Sequence, residues 1–355
     1  MSRFLSSRLK QLEPYTPGEQ PQIKDLIKLN TNESPFPPSE NGIKMASEAA
    51  RDLNLYPDPE CKALTQKIAD NLNVDFDEVL VTNGSDEILN FAFMAFCDKD
   101  TPAIFPDITY GFYKVFAQLN GVPYREMPLK SDLSINLEEY ENCGGTIFIA
   151  NPNAPTGLYF GPGEIEEVIK SNPDNIVVVD EAYVDFGNRS CASLIKKYDN
   201  LLVTQTFSKS RSMAGARLGF GVGSKELIRD LNTIKYSTNP YNINKMTMAA
   251  GIGALLDEEY TKSNCAKICE NREYTKSELI KMGFEVTDSR ANFLFAKHNL
   301  ISGEKIYQGL RKRSILVRHF GSEKISDYNR ITVGTKEQME KFLCAVAEIL
   351  EEEEK

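Results

Sequence analysis

The stretch Ile176-Val-Val-Val-Asp180-Glu-Ala-Tyr183 sets four β-branched residues in a row and then stops on a carboxylate. Such a run suits a strand buried on both faces, as in a parallel sheet. The acid closing it lies at the C-terminal end of the strand, where open α/β sheets bind ligands. A buried carboxylate there needs a positive or donor partner, because an isolated buried charge is very costly. A protonated pyridine nitrogen is one such partner; a helix N-terminus or a loop salt bridge is another.

Outward from this strand the pattern repeats. Short apolar runs at 79–82, 103–105, 122–127, 146–150, 201–206 and 217–222 read as strands, with amphipathic stretches at 86–97, 110–119 and 163–171 as helices between them. The alternation predicts an open α/β sheet covered by helices on both faces. Beyond residue 224 the spacing turns helical (225–236, 244–256, 258–281). It then alternates again, with strands at 292–297, 315–318 and 330–333 and helices at 304–313 and 336–350, a compact α+β unit. The start of the chain, with Pro14, Pro17, Pro21, Pro35, Pro37 and Pro38, reads as an extended arm.

The 355 residues are 41% hydrophobic and 26% charged, ordinary for a globular protein with a sizeable core. A formal net charge of -10 leaves no basic excess, so neither nucleic acid nor an anionic membrane is an expected partner. Met1 to Lys10 lacks the apolar core of a signal peptide. The densest apolar stretch, Ile88 to Cys97, is too short to span a membrane, and the run Glu351 to Glu354 reads as a solvated helix end. Seven scattered cysteines point to free thiols in a reducing cytoplasm. Two histidines, His298 and His319, leave little for a metal centre or a His-based triad.

Three further segments carry chemistry. Leu201 to Thr206 runs into Phe207-Ser208-Lys209, and Arg217 follows eight positions later in Gly215-Ala-Arg217-Leu-Gly219-Phe-Gly221. An amine at a sheet edge can form a Schiff base with a carbonyl cofactor, and nearby cations help keep it unprotonated. Ser208 and Arg217 suit a phosphate dianion, by hydroxyl and by forked guanidinium. The Gly219, Gly221, Gly223 spacing is not a dinucleotide fingerprint. Val81-Thr-Asn83-Gly84-Ser85-Asp86-Glu87 joins a strand to a helix and offers main-chain N–H groups to an anion. The same residues also suit an ordinary helix start capped by Ser85 or Asp86. Thr109-Tyr110-Gly111 places one aromatic ring near this edge, either to stack on a flat heterocycle or to fill the core.

In this order, anion cup, aromatic, Asn-Pro loop, strand-ending Asp, then Ser-Lys and Arg, the chain resembles the fold-type I aminotransferases dependent on pyridoxal 5′-phosphate (PLP). The likeness runs over nearly its whole length. It implies an α/β fold, with a large domain whose mostly parallel sheet is covered by helices, plus a smaller α+β domain. Residues 1–45 would be the arm and part of the small domain, 46–270 the PLP-binding domain and 271–355 the small domain. Lys209 would carry the cofactor, Asp180 would pair with its pyridinium nitrogen, Tyr183 would donate to its phenolate oxygen and Tyr110 would stack on its ring. Gly84, Ser85, Asp86, Ser208 and Arg217 would hold the phosphate, with Thr206 beside it.

Within that superfamily, Pro14-Tyr15-Thr-Pro17-Gly18-Glu19, Leu29-Asn-Thr-Asn32-Glu33-Ser-Pro35 and Leu55-Tyr56-Pro57-Asp58 resemble segments of the histidinol-phosphate aminotransferases. So do Val317-Arg318-His319-Phe320 and Asn329-Arg330-Ile-Thr-Val-Gly334. By this resemblance Tyr15 and Asn32 help form the substrate pocket, and Arg318 and Arg330 hold the substrate phosphate. Tyr56 reaches the cofactor phosphate of a neighbouring subunit, in a homodimer with shared active sites. The implied reaction passes the amino group of L-histidinol phosphate to 2-oxoglutarate, giving imidazole acetol phosphate and L-glutamate, in histidine biosynthesis. An aromatic amino acid aminotransferase, a decarboxylase of a phosphorylated amino acid, and a non-catalytic PLP-binding module are the alternatives. One position departs: Asn151-Pro-Asn153-Ala154-Pro155-Thr-Gly157 carries Ala154 where the superfamily has an Asn that donates to the phenolate oxygen. Either Asn153 takes over that bond or Tyr183 acts alone.

Overall fold

A computed structural model describes residues 2–10 and 12–353. Met1, Gln11, Glu354 and Lys355 lie outside the described residues, and with them the first residue of the expected polar start and the last acid of the C-terminal run. In chain order the first elements are β1 (Ile27–Lys28), α1 (Glu40–Ala49), α2 (Lys62–Leu72), β2 (Val79–Thr82), α3 (Ser85–Phe96) and β3 (Ala103–Pro106). Then come α4 (Phe112–Asn120), β4 (Tyr124–Met127), β5 (Thr146–Ala150), α5 (Pro162–Ser171), β6 (Val177–Asp180), β7 (Leu201–Thr206) and β8 (Gly219–Gly223). The remainder is α6 (Lys225–Thr238), α7 (Lys245–Leu256), α8 (Glu258–Lys281), β9 (Phe284–Val286), β10 (Phe293–His298), α9 (Gly303–Lys312), β11 (Ile315–Leu316), β12 (Arg318–His319), β13 (Asn329–Thr332) and α10 (Lys336–Glu353).

β6 lies at the centre of a seven-stranded sheet of order β2-β8-β7-β6-β5-β3-β4. All pairs are parallel except those of β8, which runs antiparallel to both neighbours. The pleat explains why β5, β6 and β7 read as unbroken apolar runs. Ile147, Ile149, Val177, Val179, Leu201 and Val203 join α2 and α5 on one face. Phe148, Val178 and Leu202 join Leu89 and Phe93 of α3 on the other, so both faces are buried. Because β2, β5, β6 and β7 point the same way, Thr82, Ala150, Asp180 and Thr206 all end at one edge.

A second core is built on the antiparallel sheet β12-β13-β10-β9, packed against α8, α9 and α10. The arm is tied into this unit, since β1 pairs with β11 and Leu29 is buried in its core. The expected dividing line at 270/271 falls inside α8, which is continuous there, and Cys265 and Ile268 from its first half belong to the second core.

Several boundaries moved for local reasons. The strand expected from residue 122 begins at Tyr124, because Val122 N–H still bonds back to Ala117 of the preceding helix and Pro123 has no N–H to give. The strand expected from 217 begins at Gly219, since Arg217 is left-handed at φ 56°. The run 315–318 divides between two sheets, β11 pairing with β1 and β12 with β13. α1, α2 and β9 were not anticipated. Among the described residues no helix is long and apolar enough to cross a membrane.

Candidate active site

At the shared strand edge lies a cavity of about 430 Å³ whose walls include Ser85, Asp86, Tyr110, Asp180, Tyr183, Thr206, Ser208, Lys209 and Arg217. Residues as far apart in sequence as Ser85 and Arg217 meet there because the parallel strands deliver their C-terminal ends to it. No group of three His, Cys, Asp or Glu side chains among the described residues could hold a metal ion.

Asp180, 4% exposed, closes β6. The Tyr113 hydroxyl donates to its Oδ2 at 3.0 Å and the Thr204 hydroxyl to its Oδ1 at 3.3 Å. Burial pushes its carboxyl up to about 6 against the Tyr113 hydrogen bond. It is neither a helix cap nor half of a salt bridge; these side-chain partners are neutral hydroxyls, so a cation in the cavity would be held strongly. Glu181 points the other way, as the pleat requires. Ser190, the Cys191 N–H and Gln205 hold it, and burial pushes its carboxyl up to about 7.

Lys209 sits just beyond β7 with Nζ donating to the Thr31 carbonyl at 3.2 Å and lying 5.8 Å from the Tyr183 ring centre. Burial, then the Arg330 charge, pushes its amine down to about 8. An amine with that pKa is roughly one part in ten unprotonated at pH 7, far more than an ordinary lysine, and this supplies the neutral form a nucleophile needs.

The turn expected to cup an anion leads into α3. The cap residue is Gly84 at φ 74°, and no side chain caps the helix, so the expected Ser85 or Asp86 cap is absent. A Cβ on Gly219 would fall 2.5 Å from the Gly84 carbonyl carbon and the Ser85 nitrogen. Only glycine lets β8 come this close to the turn. Arg217 Nη2 pairs with Asp86 Oδ2 at 3.0 Å, and the Tyr110 hydroxyl donates to Asp86 Oδ1 at 2.6 Å. Asp86 therefore uses its carboxylate to fix Arg217 and Tyr110, and has only its main-chain N–H to offer an anion. Thr206 Oγ1 donates to Ser208 Oγ at 2.9 Å on the opposite rim.

A second cationic site stands behind the Lys209 side of the cavity. Arg330 on β13 lies directly across from Arg318 on β12. Arg330 Nη2 donates to the Asn30 carbonyl at 3.0 Å, while its buried Nε has no partner. Arg318 donates to the Thr16 and Pro17 carbonyls at 3.2 and 3.5 Å, and both guanidiniums lie 5.9 Å from the Phe320 ring centre. Burial is the main force pushing Arg330 below its ordinary value, with Arg318 adding to it. Like charges across a ladder repel, and a buried N–H without a partner is costly. An anion between the two guanidiniums would relieve the repulsion and could partner the free N–H.

Not every expected residue faces the cavity. Asn153 is turned into its own loop, its Nδ2 donating to Ile108 O and Thr156 Oγ1 and its Oδ1 accepting from Thr109. With both ends of the amide committed, it cannot take over from the missing Asn. Ala154 is the residue that lines the wall. Asn32 stands behind Tyr183 rather than on the surface, its Nδ2 donating to the tyrosine oxygen at 2.9 Å. Tyr15 stacks on Phe112 with centroids 4.3 Å apart, outside the lining. Arg318 lines a separate recess with Glu19, Asn30 and Tyr307. Tyr56 is 80% exposed, stacked on Tyr241 at 4.7 Å in another groove.

Sequence reasoning missed Tyr113 and Thr204, the donors to Asp180. Tyr113 lies at the start of α4, its N–H bonding the Tyr110 carbonyl in the turn that opens the helix. Thr204 is the parallel partner of Asp180 across the β6–β7 ladder. Gln20, Thr31 and Glu33 of the arm also line the cavity without having been singled out.

Comparison with known proteins agrees with this geometry. Residues 24–346 match the model of the family described as aminotransferase class I and II. The histidinol-phosphate aminotransferase of Brachyspira hyodysenteriae is 49% identical over 352 residues, covering 99% of each chain. Among solved structures, the histidinol-phosphate aminotransferase of Clostridium acetobutylicum aligns with a TM-score of 0.83 at 26% identity, covering 90% of this chain and 98% of its own. That of Sinorhizobium meliloti, in complex with pyridoxal-5′-phosphate, shares the fold at a TM-score of 0.85 and 22% identity, over 92% and 91% of the two chains. This chain belongs to the class I and II aminotransferase family.

Proposed function

We propose that the protein is a PLP-dependent aminotransferase that moves the amino group of L-histidinol phosphate to 2-oxoglutarate, yielding imidazole acetol phosphate and L-glutamate. The observation that carries this reading is the pair of anion sites flanking one buried lysine. The cup of Gly84, Ser85, Ser208 and Arg217 suits the cofactor phosphate, and the Arg318–Arg330 pair suits the anionic end of each substrate. The residues fit a phosphorylated pyridine aldehyde: Asp180 lacks a cation, Lys209 is an amine of lowered pKa, and the N–H groups starting α3 have no side-chain cap.

When bound, PLP supplies an electron sink for charge leaving the substrate carbon. Asp180, fixed by Tyr113 and Thr204, keeps a proton on the ring nitrogen, so that its carboxylate and that cation stabilise each other. Tyr110, tied to Asp86, would flank the ring. The Lys209 amine, freed by the substrate amine, would be the base that takes the proton from the substrate carbon bearing nitrogen and returns it two atoms away, across that nitrogen. A pKa near 8 matches both duties at neutral pH. Arg330 takes the phosphate in one half-reaction and a carboxylate in the other, since a guanidinium fork suits both.

Two further readings belong here. Exposed Tyr56 and Tyr241, stacked beside Leu53 and Leu55, support a homodimer in which Tyr56 completes the cup of a neighbouring subunit. Seven free cysteines, four of them buried, support residence in the cytoplasm. The test of function is a half-reaction followed by cofactor absorbance. Histidinol phosphate should bleach the yellow form and 2-oxoglutarate restore it, whereas faster bleaching by phenylalanine would favour an aromatic aminotransferase.

A further inference from the structure

Asn32 is buried and left-handed at φ 56°, a conformation asparagine tolerates better than most residues. Its main-chain N–H donates to Thr332 Oγ1 at 2.9 Å, and the Thr332 hydroxyl lies 3.1 Å from Asn32 Oδ1. Since Thr332 Oγ1 already receives the N–H, its own proton goes to Oδ1. This fixes which end of the amide is oxygen. The NH₂ end is therefore the one that meets Tyr183 Oη at 2.9 Å, and it must donate. The Asn292 amide donates to the Asn32 carbonyl at 3.0 Å and holds the segment from the other side. A tyrosine oxygen that accepts here turns its own proton elsewhere. Among the described residues Tyr183 Oη has no second partner, and Tyr183 lines the cavity opposite the end of β6.

Resting on the reading of this cavity as a PLP site, we propose that Asn32, oriented by Thr332, is a positioning residue that aims the Tyr183 hydroxyl proton at the ring oxygen of the cofactor. It makes one well-directed donor serve where Ala154 has removed the second. The charged groups around Tyr183 are Arg330 from β13, Asp180 from β6, Asp86 from α3 and Lys209 from the loop after β7. Asn32 alone of these neighbours hydrogen-bonds to Oη, and it does so as a donor, so the direction of the tyrosine proton depends on the amide. Donation from Asn32 also polarises the O–H and strengthens the bond it makes in turn. The assignment moves Asn32 out of the substrate pocket and into the support of the cofactor.

The discriminating variant is Asn32→Asp, which keeps the shape but replaces the NH₂ donor with an acceptor and draws the tyrosine proton away from the cavity. The readout is the pH at which the bound cofactor loses its yellow, protonated form. With its ring oxygen less stabilised, that form should persist to higher pH, by about one unit. Thr332→Val, which frees the amide to flip, should move the transition in the same direction, and Thr332→Ser should leave it at the wild-type value. Ala154→Asn added to Asn32→Asp should bring the transition back down by supplying the second donor. The KM for histidinol phosphate should stay within about twofold of wild type in Asn32→Asp, because substrate contact is not what is lost. A transition that stays put in both Asn32→Asp and Thr332→Val, or a KM that rises while the transition does not move, would overturn the proposal and return Asn32 to the substrate pocket. A wild-type protein without yellow cofactor would instead count against the reading of the site.

Discussion

A lysine buried with a lowered pKa costs the cofactor-free protein stability, and the amount can be worked out. Below pH 8 Lys209 is charged in both folded and unfolded chains, so the folded state carries the whole penalty. Its pKa falls from 10.5 to about 8. At about 1.4 kcal/mol per pH unit, that is roughly 3 kcal/mol. Lys209→Met removes the charge and keeps most of the apolar stem. It also leaves the Thr31 carbonyl without its donor, a loss of about 1 kcal/mol that does not depend on pH. At pH 7 the apo variant should therefore be more stable than apo wild type by about 2 kcal/mol. As pH rises through 8 the folded amine sheds its proton before the unfolded one does, so wild-type stability climbs, the gap closes by about pH 10, and above that the Thr31 bond leaves wild type ahead by up to about 1 kcal/mol. The chain has no tryptophan, so urea unfolding is best followed by far-UV circular dichroism, at several pH values from 7 to 10. A gap independent of pH over this range, or a wild type more stable than the variant at pH 7, would refute the description of Lys209 as a desolvated amine of lowered pKa.

Other outcomes follow from the arginine pair and from the exposed tyrosine. Arg330→Ala should slow both half-reactions, since the loss of a desolvated charged hydrogen bond costs about 2–5 kcal/mol, roughly thirtyfold or more in binding. Arg318→Ala should damage the histidinol phosphate half more than the glutamate half, because a carboxylate is smaller and carries less charge; equal damage would remove Arg318 from phosphate recognition. Mixing Tyr56→Phe subunits with Lys209→Ala subunits should recover activity, because the heterodimer has one intact site and one doubly damaged site. No recovery after confirmed subunit exchange would rule out a shared site built through Tyr56.

The sheet and its ligand edge were legible because buried parallel strands leave long β-branched runs that end on polar residues, and Asp180 and Lys209 each follow such a run. The second core was legible as alternation from residue 292, although the three-residue β9 ahead of it leaves too short a pattern to see. Tyr113 and Thr204 were not found, because their importance comes from register, in one case the β6–β7 ladder and in the other the first turn of α4. The place of Asn32 depends on Thr332, 300 residues away, a contact that no local pattern reports. At Asn153 and Ala154 the sequence left open which side chain faces inward. Hydrogen bonds to Ile108, Thr109 and Thr156 decide it, and they form only when two distant loops meet.

The central claim is that Lys209, alone among the lysines of this chain, carries the cofactor. Borohydride added to the yellow protein should fix the cofactor irreversibly, and digestion followed by mass spectrometry should find the adduct on the peptide containing Ser208 and Lys209. Lys209→Ala should give neither adduct nor turnover. An adduct on any other lysine, or full turnover by Lys209→Ala, would contradict the account.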